Sequence, residues 1–181
     1  CEIFKKNNIY IISTGSTATY ITKKGYNCYL VSEFTKFNEI LSGKVKTLHP
    51  KIYASLLFDR KNKNQVMEFH KLNFPIIDFI VVNLYPFEEI IKTKSSYKEC
   101  INNIDIGGPT LLRAAAKNYH SVTTVSDIND YKILVNNLNN NNGKTTINFR
   151  RKMAGKIFEI TSIYDYFISN WMIGENDNFL K

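Results

Sequence analysis

The sequence predicts a three-layer α/β/α sandwich with a mostly parallel sheet. Short β-branched runs alternate along the chain with segments of helical periodicity, which is the pattern of parallel strands joined by crossover helices. One run, residues 76–83, is apolar at consecutive positions, as in a central strand that helices cover on both faces. The length of 181 residues suits a single domain with one sizeable core.

Each element follows from a local signal. The β-branched and aromatic runs predict four strands, at residues 9–13, 27–31, 76–83 and 121–125. Helical periodicity and end signals predict helices at residues 1–6, 16–24, 51–58, 64–72, 110–118, 129–138 and 145–172. Gly25 is expected to end the helix that begins at Ser16. The asparagine-rich run 136–143 predicts a lengthened surface loop, since long loops cost little extra entropy.

The basic composition does not by itself indicate a nucleic-acid partner. The formal net charge is +8, but the positive residues are mostly lysines spread along the chain in pairs. Lysine, asparagine, isoleucine, tyrosine and phenylalanine share AT-rich codons, so a mutational bias explains the basicity at least as well as a partner does. We therefore expect no nucleic-acid surface, which would need clustered charge.

Cysteine usage and hydropathy indicate which cellular compartment to expect. The three cysteines share no short spacing, which argues against a disulfide framework and against a cysteine-type zinc site. No run approaches the ~18 apolar residues of a membrane span, and the first residues do not form a signal peptide. The expectation is a cytoplasmic protein with no metal site and no membrane partner.

The segment after the first predicted strand, residues 13–17, is a turn of small residues that opens a helix. Its backbone N–H groups and hydroxyls suit a phosphate at the positive end of that helix. An ordinary strand-to-helix turn with an N-cap uses the same residue types, so both interpretations stay open here.

A second segment, residues 42–51, places two lysines at alternate positions in a predicted loop. Lys44 and Lys46 would point the same way if the loop were extended, and two ammonium groups suit an anion. A solvated basic loop explains the same charges. His49, next to a proline, is expected to be a buried hydrogen-bonding residue rather than a base.

A third segment, residues 81–87, ends a buried strand in a polar pair followed by a proline. The proline restricts the exit of the chain, which would present Asn83 and Tyr85 at the carboxyl edge of the sheet, where open α/β folds bind ligands. Tyr85 by itself is equally consistent with packing and a surface hydroxyl.

The fourth segment, residues 103–118, is a Gly-Gly turn that leads into an alanine-rich helix. Small residues allow close packing or the close approach of a ligand. Asp105 and Lys117 would favourably complement the two ends of that helix dipole. That explanation leaves the combination of paired glycines and an alanine run unaccounted for.

These four segments, in this order, resemble the inosine monophosphate (IMP) cyclohydrolase domain of the bifunctional purine-biosynthesis enzyme that also carries AICAR transformylase. The resemblance covers nearly the whole chain, and its most specific parts are residues 43–50, 83–87 and 105–118. It implies a methylglyoxal synthase-like fold. The implied reaction is the dehydrative closure of the formamido nucleotide FAICAR to IMP, without a metal or an organic cofactor. 10-Formyltetrahydrofolate would serve only the transformylase domain, and the full-length enzyme is expected to be a homodimer.

The resemblance also implies residue roles. Lys117 corresponds to the proton donor or acceptor, Asp105 to its acidic partner and Tyr85 to a hydrogen-bond donor, with Lys46 as an electrostatic stabiliser. The implied substrate-binding residues are Thr14, Gly15, Ser16, Thr17, Lys44, Val45, Thr47, Val82, Asn83, Ile106 and Gly107. Among these, Asn83 and the backbone at Ile106 are expected to contact the base. A lysine of ordinary pKa is protonated at neutral pH, so Lys117 is better suited to donating a proton than to accepting one.

The chain departs from the family pattern in three respects. Lys44 stands where arginine is common, which replaces a bidentate phosphate contact by a point charge. Ser16 stands where glycine is usual. Residues 1–181 also resemble a cyclohydrolase domain without its first strand and phosphate loop. The transformylase domain of the family is lacking from this resemblance as well. We therefore expect feeble ring closure from this polypeptide alone and recovery when the upstream strand and loop are added.

Other functions remain open from the sequence. A regulatory module of the same fold would bind a nucleotide or phosphate without catalysis, and fold alone does not decide between the two. Methylglyoxal synthase, another relative of the fold, is not expected to have residues 83–87. A nucleic-acid module is the third alternative and would bind oligonucleotides with steep salt dependence.

Overall fold

The computed structural model describes residues 1–93 and 96–179 and has the predicted α/β architecture. Its strands are β1 (Ile12–Ser13), β2 (Tyr29–Leu30), β3 (Phe79–Val81) and β4 (Thr123–Val125). β1 pairs in parallel with β2, and β3 in parallel with β4. In the described residues these are two separate two-stranded sheets rather than one continuous sheet. All four strands lie inside the predicted ranges but are shorter.

Ten α-helices accompany these strands in the described part of the chain. They are α1 (Glu2–Lys6), α2 (Gly15–Lys23), α3 (Val31–Thr35), α4 (Pro50–Leu57), α5 (Lys63–Leu72), α6 (Phe87–Lys92), α7 (Tyr97–Asn102), α8 (Gly107–Lys117), α9 (Tyr131–Asn140) and α10 (Ile147–Phe179). A short 3₁₀ turn, Ile128–Asp130, leads into α9. The sequence predictions missed α3, α6 and α7, which span only five or six residues and show little periodicity. Within the described residues, no helix is both long and apolar enough to cross a bilayer.

One hydrophobic core joins the two sheets. Ile12 of β1 and Ile80 of β3 both pack against a cluster that contains Leu56 of α4 and Leu111 of α8. Leu56 is fully buried. The two strand pairs are therefore held together by the helices that cover them.

Helix α8 lies at the centre of the packing. Its Ala115 and Ala116 are buried, and Ala116 clusters with Ala154 and Ile157 of α10. Side chains this small let the two helix backbones approach closely, as ridges-into-grooves packing requires. The alanine run is thus explained by helix packing.

The predicted loop at residues 136–143 is only partly correct. Residues up to Asn140 continue α9, because Leu134 and Leu138 lie one turn apart on the face that packs into the core. The chain turns just beyond, at Gly143, which has a φ of +77°. Burial of the two leucines outweighs the weak helix propensity of asparagine.

Substitution of Leu56 by alanine should lower the free energy of unfolding by about 2–5 kcal/mol, because the cavity would open in the core that both sheets share. Leu57, its neighbour on α4, is 42% exposed, and Leu57→Ala should cost less than about 1 kcal/mol. Urea denaturation of both variants measures the difference. Equal losses would show that the two sheets do not depend on this core.

Candidate functional site

A cavity of about 270 Å³ opens where β1 and β2 end. β1 leads through Thr14 into α2, and β2 leads directly into α3. The polar residues around the cavity are Ser13, Thr14, Ser32, Asn38, Glu39 and Lys46. Ligands of open α/β folds bind at this position, beyond the carboxyl ends of the strands.

The amino end of α2 faces this cavity. Gly15 adopts a φ of +38°, a value that favours glycine, and its predecessor Thr14 is extended. Among the residues that the structure describes, the Thr14 side chain makes no capping hydrogen bond, so the first N–H groups of α2 and the Thr14 hydroxyl remain available to a ligand. Ser16 and Thr17 are exposed on that first turn. Exposed N–H groups at a helix amino terminus are a feature that anion sites commonly use.

The loop before α4 reaches the cavity through Lys46. Residues 40–45 form a tight antiparallel turn, with the Val45 carbonyl accepting from Ile40 N–H at 3.1 Å. Lys46 then lines the cavity, whereas the Lys44 ammonium donates to Asn102 Oδ1 at 3.4 Å. The two lysines thus have different neighbours, and Lys46 provides the positive charge of the cavity.

His49 has a structural role, as expected from the sequence. It is the N-cap of α4, and its Nδ1 accepts a hydrogen bond from the Lys51 N–H at 3.1 Å. Pro50 occupies the first helical position, where its missing N–H costs nothing. These contacts fix the direction in which the chain leaves the loop that carries Lys44 and Lys46, here called the lysine loop.

The start of α8 packs against the loop before α4 and against the segment that follows β3. A β-carbon added to Gly107 would lie 2.9 Å from Thr47 Oγ1, and one added to Gly108 would collide with Asp105 Oδ2 and lie 2.9 Å from Leu84 Cδ2. The paired glycines are therefore required by close contacts. Because Thr47 follows Lys46 directly, the lysine loop connects the cavity with the start of α8.

Asp105 is half-buried and held at two points. Its Oδ1 accepts from the Gly108 N–H at 2.9 Å, and its own backbone N–H donates to the Tyr164 hydroxyl at 2.7 Å. Burial raises the pKa of Tyr164, so this phenol stays neutral at physiological pH. One carboxylate oxygen of Asp105 thus caps α8, and the other, Oδ2, is directed over Gly108.

The remaining predicted residues at this edge follow β3 or precede α8. The Val82 N–H continues the ladder to the Val125 carbonyl at 3.1 Å, and its side chain packs in the core. Asn83 and Tyr85 are exposed, Tyr85 at 61%. Ile106, also exposed, is the N-cap of α8. Their backbones lie at the carboxyl edge, as the strand exit predicts.

Lys117 does not join this group within one chain. It ends α8, whereas Asp105 lies just before its start, and eleven helical residues at 1.5 Å each separate the two ends by about 16 Å. The neighbours of Lys117 around a second, open hollow are Leu57, Asp59, Lys61, Asn118 and His120. The prediction that Tyr85, Asp105 and Lys117 share one pocket is wrong for the single chain, because α8 runs from the carboxyl edge to the amino edge.

The sequence analysis also missed a cluster at the end of β4. The Lys156 ammonium of α10 lies 2.7 Å from Asp127 Oδ2 and 2.6 Å from Asp130 Oδ2. The hydrogen bond from Lys156, followed by that from the Asn129 N–H, lowers the pKa of Asp127, and the two aspartates raise the pKa of Lys156. Nearby, the Tyr131 hydroxyl donates to Asn83 Oδ1 at 2.5 Å. The position of Asp127, two residues beyond a buried strand, was the available sequence signal.

Comparison with known families gives this edge a context. Residues 1–110 match the model of the MGS-like domain, and residues 115–181 match that of the AICARFT/IMPCHase bienzyme. The chain belongs to the MGS-like domain family. This confirms the resemblance noted from residues 43–50, 83–87 and 105–118.

Curated relatives of this MGS-like chain carry the name bifunctional purine biosynthesis protein PurH. The chain is 41% identical over 172 residues to the protein of Clostridium botulinum (strain Eklund 17B / Type B), covering 95% of the chain and 34% of the relative. It is 44% identical to that of Bradyrhizobium diazoefficiens, covering 91% of the chain and 31% of the relative. The chain thus spans about a third of the length of these relatives.

A solved structure shares the fold of this MGS-like chain. The crystal structure of ForH matches it with a TM-score of 0.79 at 24% identity, covering 93% of this chain and 88% of ForH. The predicted α/β class and the methylglyoxal synthase-like fold are therefore confirmed.

Gly108→Ala tests the close contact at the start of α8. The added methyl group must displace the Asp105 carboxylate and the Leu84 side chain, so we expect a loss of about 1–3 kcal/mol in unfolding free energy. Gly155→Ala is the matched control, because no atom of the described residues lies within 4 Å of its β-carbon position in α10. That control should stabilise the protein by about 0.5–1 kcal/mol. A stable Gly108→Ala variant would contradict the packing described above.

The ion pairs of Lys156 predict an acid-dependent stability. The lowered pKa of Asp127 contributes stability that is present above the ordinary aspartate value of 3.8 and is lost as the pH falls through the lowered value. Lys156→Met should cost about 1–3 kcal/mol at pH 7 and progressively less below pH 3.8. Thermal denaturation across pH 2–7, with the exposed Lys152→Met on the same helix as control, measures this. A pH-independent difference between the two variants would argue against the charge pairing.

Proposed function

We propose that this chain provides the IMP cyclohydrolase step of a bifunctional purine-biosynthesis protein. The supporting observations are the amino end of α2 and Lys46 at one cavity, and the close approach of the next residue, Thr47, to the start of α8 beside Asp105. The first feature suits a nucleotide phosphate, and the other two offer a cation and a carboxylate. The bienzyme family model that residues 115–181 match includes an IMP cyclohydrolase, and the relatives share the coarser name of a bifunctional purine-biosynthesis protein.

The reaction joins two groups of one molecule. The carboxamide nitrogen of FAICAR attacks the formyl carbon, the C=O double bond opens, and the oxygen leaves as water with one hydrogen from each of the two nitrogens. No atom changes oxidation state overall, so the step needs no oxidant or reductant, and we propose that it uses no organic cofactor. Holding the two groups in contact supplies a large part of the rate enhancement.

The residues of the edge have distinct proposed roles. Lys46 stabilises the negative charge that develops on the formyl oxygen. The Oδ2 atom of Asp105, not engaged in capping α8, accepts the proton of the attacking nitrogen. Tyr85 donates a hydrogen bond from the exit of β3. Lys117 lies at the other end of α8 from Asp105, about 16 Å away along the helix, so we assign it no role at the group on which Asp105 acts.

A binding module without catalysis is the second candidate. It is favoured by the separation of Lys117 from Asp105, since the turn at Thr14 that opens α2 forms regardless of where Lys117 lies. Such a module would bind IMP with no turnover. Loss of Lys46 should reduce turnover in the enzyme, whereas a binding module has no turnover to lose.

Lys46→Met should reduce ring closure by about 100-fold or more, as expected for loss of an oxyanion-stabilising group, with a much smaller effect on IMP affinity. The assay follows the ultraviolet absorbance change on closure of the second ring, in the protein that carries this chain. Lys71→Met removes an exposed lysine at the end of α5 and should leave the rate unchanged. IMP binding without any turnover in the unaltered protein would favour the binding module.

A further inference from the structure

The amide of Asn83 is held in one orientation by Tyr131. Asn83 lies two residues beyond the end of β3, and Tyr131 is the first residue of α9. The Tyr131 hydroxyl donates to Asn83 Oδ1 at 2.5 Å. Burial raises the pKa of Tyr131, so the phenol keeps the proton that it donates.

This hydrogen bond determines which part of the amide faces solvent. An asparagine side chain has one accepting oxygen and one NH₂ group with two donors. Tyr131 donates to one lone pair of the oxygen, and in the described residues no hydrogen-bond partner is found for Asn83 Nδ2. Asn83 is exposed, so its N–H donors are available to a ligand at the carboxyl edge.

The position of Tyr131 is itself anchored. Asp130, the preceding residue, has only 9% of its side chain exposed and pairs with Lys156 at 2.6 Å. Asp127 pairs with the same ammonium and accepts from the Asn129 N–H at 2.9 Å, capping the turn that leads into α9. The ring of Tyr131 packs against the core cluster that contains Val125 and Leu134. Both ends of the Tyr131 side chain are therefore constrained.

Asn83 is also close to the proposed reaction site along the chain. The next residue, Leu84, contacts Gly108, and Asp105 caps the same turn of α8. Asn83 thus belongs to the strand exit whose next residue borders the start of α8.

We propose that Tyr131 is a positioning residue that makes Asn83 select a carbonyl oxygen in the nucleotide. This inference rests on the proposed function. In FAICAR the oxygen is that of the carboxamide, and in IMP it is the 6-oxo group formed from it. With the oxygen bound to Asn83, the carboxamide NH₂ points towards the formyl group, the orientation in which attack closes the ring. Rotation of the carboxamide by half a turn would present its oxygen to the formyl carbon instead, and the purine ring does not form.

The same arrangement rejects a 6-amino nucleotide. An amino group offers donors where Asn83 already presents donors, so both sides lose hydrogen bonds. The unaltered protein should bind IMP at least about ten times more tightly than AMP, since one mismatched pair at an exposed position costs about 1.4 kcal/mol, a factor of ten.

Tyr131→Phe removes only the hydroxyl and keeps the ring in the core. The Asn83 amide is then free to rotate and present either group, so the ratio of IMP to AMP affinity should fall about fivefold or more towards equality. Calorimetric titration of the protein with IMP and with AMP measures this ratio. Tyr166→Phe, which alters an exposed tyrosine of α10, should keep the ratio and serves as the control.

Asn83→Asp gives the opposite chemistry at the same place. The carboxylate accepts from Tyr131 and presents a second acceptor to the ligand, so the preference should shift towards AMP beyond that of Tyr131→Phe. A loss of stability in either variant would lower the affinities for IMP and AMP together, whereas the proposal predicts a change in the ratio of the two affinities.

The outcomes distinguish a failure of the role of Tyr131 from a failure of the proposed function. IMP binding with an unchanged ratio in both Tyr131→Phe and Asn83→Asp would overturn the role of Tyr131 and leave the proposed function intact. Failure of the unaltered protein to bind either nucleotide would overturn the proposed function and this inference with it.

Discussion

The close packing of α8 against its neighbours is the constraint on which the rest of the structure depends. Its alanines bring α10 near, and its paired glycines admit Thr47, Leu84 and the Asp105 carboxylate at its start. Any larger side chain would push one of these segments away. The lysine loop, the exit of β3 and Asp105 therefore meet because the start of α8 has no side chains of its own to keep them apart.

The same helix also limits what the site contains. Asp105 uses one oxygen to cap α8 and has one left for chemistry, so a structural role and a proposed chemical role share one side chain. Lys117, at the other end of α8, belongs to the opposite edge of the sheets. A helix of eleven residues keeps the backbones of its two ends about 16 Å apart.

Local signals predicted most of the elements correctly. The helix start after Ser13 and the proline exit after Asn83 lie where the sequence placed them, whereas the paired glycines, expected as a turn before a helix from residue 110, form the first two residues of α8. The errors arose where tertiary contacts outweighed local preference. The asparagines of α9 are helical because Leu134 and Leu138 are buried, and short helices such as α6 form around a buried residue, here Phe87. Their sequences carry too few turns to show a period.

By itself, the sequence determined the α/β class, the family and the edge at which we propose that a ligand binds, because periodicity, turn residues and motifs are encoded locally. Only the tertiary structure decided which side chains meet there. It placed Lys46 in the cavity and Lys44 beside Asn102, separated Lys117 from Asp105, and joined Tyr131 to Asn83 over 48 residues. Such contacts depend on the path of the chain in space, and residues distant in sequence carry no local signal of their proximity.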